Sequence, residues 1–372
     1  MTATTPMDAV TADPGTPWRN RTGRVIALIP AHNEADWIER VVANLLAQTC
    51  PPDRVVVISD NSTDATVPLA HRAGAEVWES AGNTDRKAGA LNQALARLLP
   101  HLADDDFIFV QDSDTMPVPR WLEVARTWAD KHPGAVISGR YASPPTGKSL
   151  LRIIQENEFA RDGRVIDRRG NRTRIVVGTS ALFLVSTLRA VISARQQGTL
   201  PGPRTGDVYS TASITEDYEL TLALKTLGFE TLSPHECEAV TDVMPTVREL
   251  WRQRLRWQRG AFTDLRTYGL NRVTAWYYAA QAMWCFGMLT VLLIATQIAL
   301  VVGVTGHFSP SPVWIGTLPL FLAHRILTVR RAGAKGMLLA ATLIPETAYD
   351  FFRYAIYLTC AWRAVARRET AW

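Results

Sequence analysis

The sequence is poor in cysteine. Four occur in 372 residues (Cys50, Cys237, Cys285 and Cys360), far apart and without a CxxC pair. That spacing indicates neither a zinc ribbon nor a disulfide framework, and it fits a reduced compartment for the soluble part. Charge is missing too, but only locally. Asp, Glu, Lys and Arg recur through the first 272 residues, and none occurs from Val273 to His324. The opening MTATTPMDAVTADPGTPWRN has neither a basic start nor an apolar stretch, so residues 1–22 read as a disordered tail rather than a secretory signal. No homeodomain, zinc-finger or RNA-recognition pattern is found, and nucleic acid is not an expected partner.

What is present divides the chain at the onset of the uncharged stretch. The net charge is +5, with basic residues flanking the apolar region: Arg248, Arg252, Arg254, Arg256 and Arg259 before it, Arg330, Arg331 and Lys335 after. Such clusters suit a membrane surface or a phosphate-bearing ligand. Val273–Val304 is an apolar run of about 30 residues, enough to cross a bilayer at about 1.5 Å per residue. Pro312–Thr328 is expected to return, and Gly336–Trp362, with Pro345, Glu346, Asp350 and Arg353, to lie in the interface or re-enter it. The basic residues after the second run place the soluble part on the cytoplasmic side of the cell membrane, as an integral protein.

Before that boundary, short uniformly apolar segments (VIALIP, RVVVIS, FIFVQ) alternate with helical patterns. This predicts an α/β domain with a mainly parallel central sheet covered on both faces. The expected division is a tail over 1–22, the α/β domain over 23–265 and a membrane helical region over 266–372.

Ligands of such sheets bind beyond the carboxyl ends of the strands, where this sequence places its polar clusters. They are His32-Asn33-Glu34, Asp60-Asn61-Ser62 and Asp112-Ser113-Asp114. Two carboxylates at one strand end can hold Mg²⁺ or Mn²⁺, with diphosphate oxygens and water completing the shell. Thr215-Glu216-Asp217 opens a helix and fits ordinary capping; a carboxylate there could also take a proton from an acceptor hydroxyl. Gln253, Arg256 and Trp257 share a helix face. A guanidinium suits diphosphate oxygens and an indole suits the C–H surface of a sugar. A basic amphipathic helix with Trp257 in the core would show the same pattern.

Taken in order, Pro30-Ala31-His32-Asn33-Glu34, Asp60–Thr66, Lys87–Asn92, the DxD, Gly178–Phe183, Thr215-Glu216-Asp217 and the QxxRW of Gln253–Trp257 closely resemble glycosyltransferase family 2. The likeness is strongest to the branch of cellulose, chitin and hyaluronan synthases and covers about Val25–Phe262. It implies a GT-A fold and an inverting single displacement from a nucleotide diphosphate sugar, taken as a UDP-sugar. It implies that Pro30, His32, Asn33, Glu34 and Asp60 hold base and ribose, with Lys87 near the diphosphate. Asp112 and Asp114 would bind nucleotide and metal, Asp114 as the direct ligand. Asp217 would be the general base, Gln253 and Arg256 pyrophosphate ligands, and Trp257 the acceptor platform with Glu216 beside it. His32 stands where the family often has an aromatic residue. The membrane part is small for the channel of a large polysaccharide synthase, so transfer to a lipid-linked or saccharide acceptor stands beside short-chain polymerisation. A sugar nucleotidyltransferase would need a Gly-rich basic loop after the first strand, where PAHNEADW is acidic and lacks glycine. A non-catalytic scaffold would show degenerate motifs, and here the acidic positions are intact.

Overall fold

The first strand, β1 (Val25–Ala31), is buried along its whole length. Its alternate side chains enter separate cores: Ile26 and Leu28 on one face, Ala27 and Ile29 on the other. A strand covered on both faces gains from apolar residues at every position, which accounts for the absence of alternation. The structure, a computed structural model, describes residues 22–143, 149–307 and 312–365, without the side chains of 313, 314, 364 and 365.

After β1 come α1 (Ile38–Leu46), β2 (Arg54–Ser59), α2 (Thr66–Arg72), β3 (Glu76–Glu79), α3 (Arg86–Leu98) and β4 (Phe107–Gln111). Next are β5 (Met116–Pro117), α4 (Trp121–Lys131), β6 (Val136–Ser138), β7 (Arg140–Ala142) and α5 (Leu150–Arg168). β8 (Ser180–Leu184), α6 (Val185–Gln196), α7 (Glu216–Thr226), β9 (Thr231–Leu232), β10 (Glu238–Val240) and α8 (Val247–Tyr268) complete the α/β part. The main sheet has the order β3-β2-β1-β4-β8-β6-β9, and β5-β10-β7 form a small second sheet. β3, β2, β1 and β4 are parallel, and β8 runs antiparallel to both its neighbours. α3 and α7 cover one face through Leu91, Leu95 and Leu222, and α1 and α4 the other through Val41, Leu45 and Trp121. Strand order reverses between β1 and β4, which opens a crevice at their carboxyl ends.

Two stretches are held in ways that their local sequence does not announce. The apolar run from Arg174 becomes a strand only at Ser180. Before that point the backbone is held by side chains instead of a ladder. Val176 N–H donates to Thr221 Oγ1 (2.9 Å), Val177 N–H to Ser138 Oγ (2.9 Å), and Lys225 donates to the Thr173 and Arg174 carbonyls. The Gly/Pro-rich stretch after Gly198 is partly buried as well. Val208 and Tyr209 are buried, and the Tyr209 backbone exchanges two hydrogen bonds with the Asn92 amide.

The C-terminal part consists of α9 (Ala275–Thr305), α10 (Pro312–Thr328), α11 (Gly333–Thr342) and α12 (Ile344–Val365). Among the described residues α9 is the one helix long and apolar enough to cross a membrane, and its apolar window is unburied. The last apolar run is two helices rather than one. Leu343 takes a left-handed φ of 62°, and Pro345, which cannot continue a helix, sits in the first turn of α12. α12 packs on α8 through Trp251 against Phe352 and Phe262 against Tyr357. Of the expected tail, all but Thr22 lies outside the described residues.

Leu28→Ala tests the two-faced core. Leu28 is fully buried, so its truncation should cost about 2–5 kcal/mol in chemical denaturation. A loss below about 1 kcal/mol would show that this face is not packed as described.

Candidate active site at the strand ends

The loops after β1 and β2 are tied to one another. Asn33 and Asn61 adopt φ of 56° and 54°, a left-handed conformation that asparagine tolerates better than most residues. Asn33 Oδ1 accepts from Thr63 N–H (2.8 Å), and Glu34 N–H donates to Thr66 Oγ1 (2.7 Å). His32 Nδ1 lies 2.6 Å from the Asp60 carbonyl oxygen. A carbonyl only accepts, so Nδ1 carries the proton. Asp60 Oδ1 accepts from Ser80 (2.7 Å), Asn83 (2.8 Å) and Asn61 (3.0 Å), which leaves Oδ2 for another donor.

Beside these loops lies a cavity of about 730 Å³. Lys87, Asp112, Asp114, Glu216, Asp217, Gln253, Arg256 and Trp257 all line it. Pro30, His32, Asn33, Glu34 and Asp60 do not; they sit on the neighbouring strand ends. Glu34 joins the two groups by accepting a hydrogen bond from Ser113, between the aspartates.

Lys87, at the start of α3, is the centre of the charge pattern. Its ammonium is 2.5 Å from Asp112, 3.3 Å from the Gly178 carbonyl oxygen and 3.4 Å from Glu216. Glu216, expected beside the acceptor, thus faces Lys87. Burial disfavours the charged lysine, but the Asp112 and Glu216 carboxylates outweigh it and hold the ammonium well above its usual range. Gly178 leaves the necessary room, since a Cβ there would stand 2.8 Å from Nζ. Asp114 lacks such a partner. Burial, with the Asp112 charge, raises it above the usual carboxylate range. Burial and the neighbouring Glu216 likewise push Asp217 up to about 6.

Helix α8 closes the cavity because Gly260 lets it approach the head of α7. A Cβ at 260 would lie 2.1 Å from Thr215 Oγ1. Thr215 does not cap α7 with its side chain; its hydroxyl donates to Asp264 (3.2 Å), as Ser213 does (2.9 Å). This contact takes the Thr215 hydroxyl away from capping, while Glu216, Asp217 and Glu219 still occupy the first turn of α7, and it brings Asp217 and the Gln253–Trp257 segment around one space. Arg256 is exposed and makes no ion pair among the described residues. Arg254 is buried, pairs with Glu158 (2.7 Å) and lies 4.2 Å over the Trp257 ring. Sequence reasoning missed Tyr141, Gln155, Phe159 and Met244 in the lining. The register of β7 brings Tyr141 there, the docking of α5 brings Gln155 and Phe159, and the Gln155 amide holds the Met244 backbone between β10 and α8; none of these leaves a motif.

The model of glycosyl transferase family 2 matches residues 26–192, which hold the loops after β1 and β2, Lys87, the DxD and Gly178. That segment is a glycosyl transferase family 2 domain. Asp217, Gln253, Arg256 and Trp257 lie beyond the family 2 match, on elements that the geometry brings to it. Among curated relatives, the poly-β-1,6-N-acetyl-D-glucosamine synthase of Staphylococcus aureus is 25% identical over 239 residues, 63% of this chain and 53% of its own. The β-monoglucosyldiacylglycerol synthase of Synechocystis is 28% identical over 266 residues, 66% of this chain and 49% of its own. The chain therefore spans about half the length of the curated relatives it matches. The solved mannosyltransferase of Pyrobaculum calidifontis, in complex with GDP-Man and Mn²⁺, superposes with a TM-score of 0.60 at 19% identity. The match covers 94% of this chain and 89% of that one, so it extends into the C-terminal helices and establishes the GT-A fold.

Gly260→Ala should force α7 and α8 apart and cost about 1–3 kcal/mol by overpacking. The check is the denaturation midpoint of the full chain in detergent. An unchanged midpoint would mean that the helices are not in contact at this position.

Proposed function

We propose that this chain is an inverting, metal-dependent glycosyltransferase. It moves a sugar from a nucleotide diphosphate sugar, taken as a UDP-sugar, to a lipid-linked or saccharide acceptor at the cytoplasmic membrane face. The observation that carries the reading is the gathering, in one cavity, of an acidic strand end, a lysine, a carboxylate of raised pKa and an arginine–tryptophan helix face. The named products of the two curated relatives, a polysaccharide and a glycolipid, support the acceptor class.

In this reading residues 23–265 are the catalytic unit. His32, Asn33, Glu34 and Asp60, with the Pro30 turn, receive base and ribose. Lys87, Gln253 and Arg256 bind the diphosphate, Trp257 supports the acceptor sugar, and Glu216 holds Lys87 in register beside the acceptor. The acceptor oxygen attacks the anomeric carbon from the face opposite the diphosphate. As the new C–O bond forms, Asp217 takes the hydroxyl proton, the old anomeric C–O bond breaks, and its electron pair leaves with the nucleoside diphosphate.

The residues also fit a divalent cation. Asp114 is a buried carboxylate beside a second one, with only Asp112 offset by Lys87. Among the described residues no cluster of three His, Cys, Asp or Glu could enclose an ion. Diphosphate oxygens and water would complete a shell begun by Asp114 and Asp112, as Mg²⁺ and Mn²⁺ allow. When bound, the ion would neutralise charge on the departing diphosphate.

Membrane attachment rests on α9, whose 31 residues span about 46 Å at about 1.5 Å each, against a hydrocarbon core of about 30 Å. Arg330, Arg331 and Lys335 follow α10 and favour the cytoplasmic side for that end.

Asp217→Asn keeps the side chain's size and removes its basicity. Turnover should fall about 10²–10⁴-fold with donor affinity nearly unchanged. A base must be deprotonated to act, so wild-type turnover should rise with pH through about 6, and the mutant should lose that limb. Asp114→Ala should instead abolish Mn²⁺-dependent binding of the nucleoside diphosphate by calorimetry. Near-normal transfer by Asp217→Asn would place the base elsewhere, with Glu216 the next candidate.

A further inference from the structure

Arg254 lies between the cavity and the C-terminal helices. Its guanidinium is buried and makes three directed contacts. Nη1 donates to Gln253 Oε1 at 3.0 Å, Nη2 to Glu158 Oε2 at 2.7 Å, and the planar group covers the Trp257 ring at 4.2 Å. Glu158, on α5, is shared with α12: the same Oε2 accepts from Tyr349 Oη at 2.8 Å, and Oε1 lies 3.7 Å from Arg353. Glu158 is largely buried, its side chain 14% exposed, and its own helix carries Gln155 and Phe159 into the cavity lining. A largely buried carboxylate with several fixed donors has one favourable orientation, because losing any donor leaves charge poorly paired in a poorly solvated place.

We propose that Arg254 is a positioning residue. Held by Glu158 and, through it, by Tyr349 of α12, it fixes the Gln253 amide and the Trp257 ring at the cavity wall. Docking of the C-terminal helices thereby sets the shape of that wall. The guanidinium also occupies one face of the indole, leaving a single face for a sugar. The geometric part stands on contacts alone; its consequence for catalysis rests on the reading of Gln253 and Trp257 given above.

The test uses the full chain in detergent, labelled with 5-fluorotryptophan and observed by ¹⁹F NMR, the Trp257 resonance being assigned by its loss in Trp257→Phe. Tyr349→Phe removes one hydroxyl, and Arg254→Lys keeps charge but loses the planar stack. Both should shift the Trp257 resonance. Glu346→Gln loosens the same docking surface, where Glu346 binds Asn157 and Arg161, without touching Arg254. It should lower thermal stability and leave the Trp257 resonance in place. With the nucleotide sugar that the wild type uses, Tyr349→Phe should raise the acceptor KM about tenfold, the donor KM changing less. A Trp257 resonance unmoved by both variants would overturn the proposal. So would an equal shift in Glu346→Gln, which would make the effect a general loosening. If the resonance moves as expected while no sugar is transferred by any form, the geometry holds and the function reading fails.

Discussion

The Lys87 ammonium is the interaction on which the site depends. It draws together Asp112 at the end of β4, the Gly178 carbonyl and Glu216 at the head of α7, three segments remote in sequence. Without a cation there, four carboxylates (Asp112, Asp114, Glu216 and Asp217) would crowd one cavity, and repulsion in a poorly solvated space would protonate or spread them. One lysine cannot offset four. Asp114 and Asp217 have no ion pair with it, and burial, aided by the charge of Asp112 and of Glu216 respectively, raises both above their usual range. A site left acidic in this way can take a polyanionic ligand only with added positive charge, which Arg256 and a divalent ion would provide.

The surrounding architecture serves this arrangement. Strand order reverses between β1 and β4, so the polar loops point into one crevice. Small residues set the distances: Gly178 admits the lysine, and Gly260 lets α8 press on the head of α7. The C-terminal helices are joined to the domain by charge as well as by apolar contact. Glu346 on α12 is buried, bonded to Asn157 and Arg161 of α5 and paired with Arg325 of α10. These buried pairs act mainly as register marks, since breaking one strands a charge.

Much of this was legible in the sequence because β1, β2 and β4 are buried on both faces and end in polar clusters. VIALIP and FIFVQ could not be solvated strands, and His32–Glu34 and Asp112–Asp114 follow them directly. What the sequence does not announce has physical causes. The segment before Ser180 is apolar enough for a strand, yet Thr221, Ser138 and Lys225 take its hydrogen bonds, and those partners lie far away in sequence. Arg254 reads as one more arginine on a basic helix, because nothing local signals that Glu158, 96 residues earlier, pairs with it. Leu343 gives no sign of a left-handed turn; only Pro345 marks the break.

The central claim is that this cavity passes a sugar from a nucleotide diphosphate to an acceptor. The most direct measurement is to incubate the purified full chain, in a membrane mimic with Mg²⁺ or Mn²⁺, with a panel of nucleotide sugars and membrane-lipid extract. Released nucleoside diphosphate and the mass of any product are then read. The expected result is release from one donor class, UDP-sugars first, with a product heavier by one or a few sugar residues. No release from any donor, together with no binding of UDP or GDP in the presence of the metal, would contradict the account.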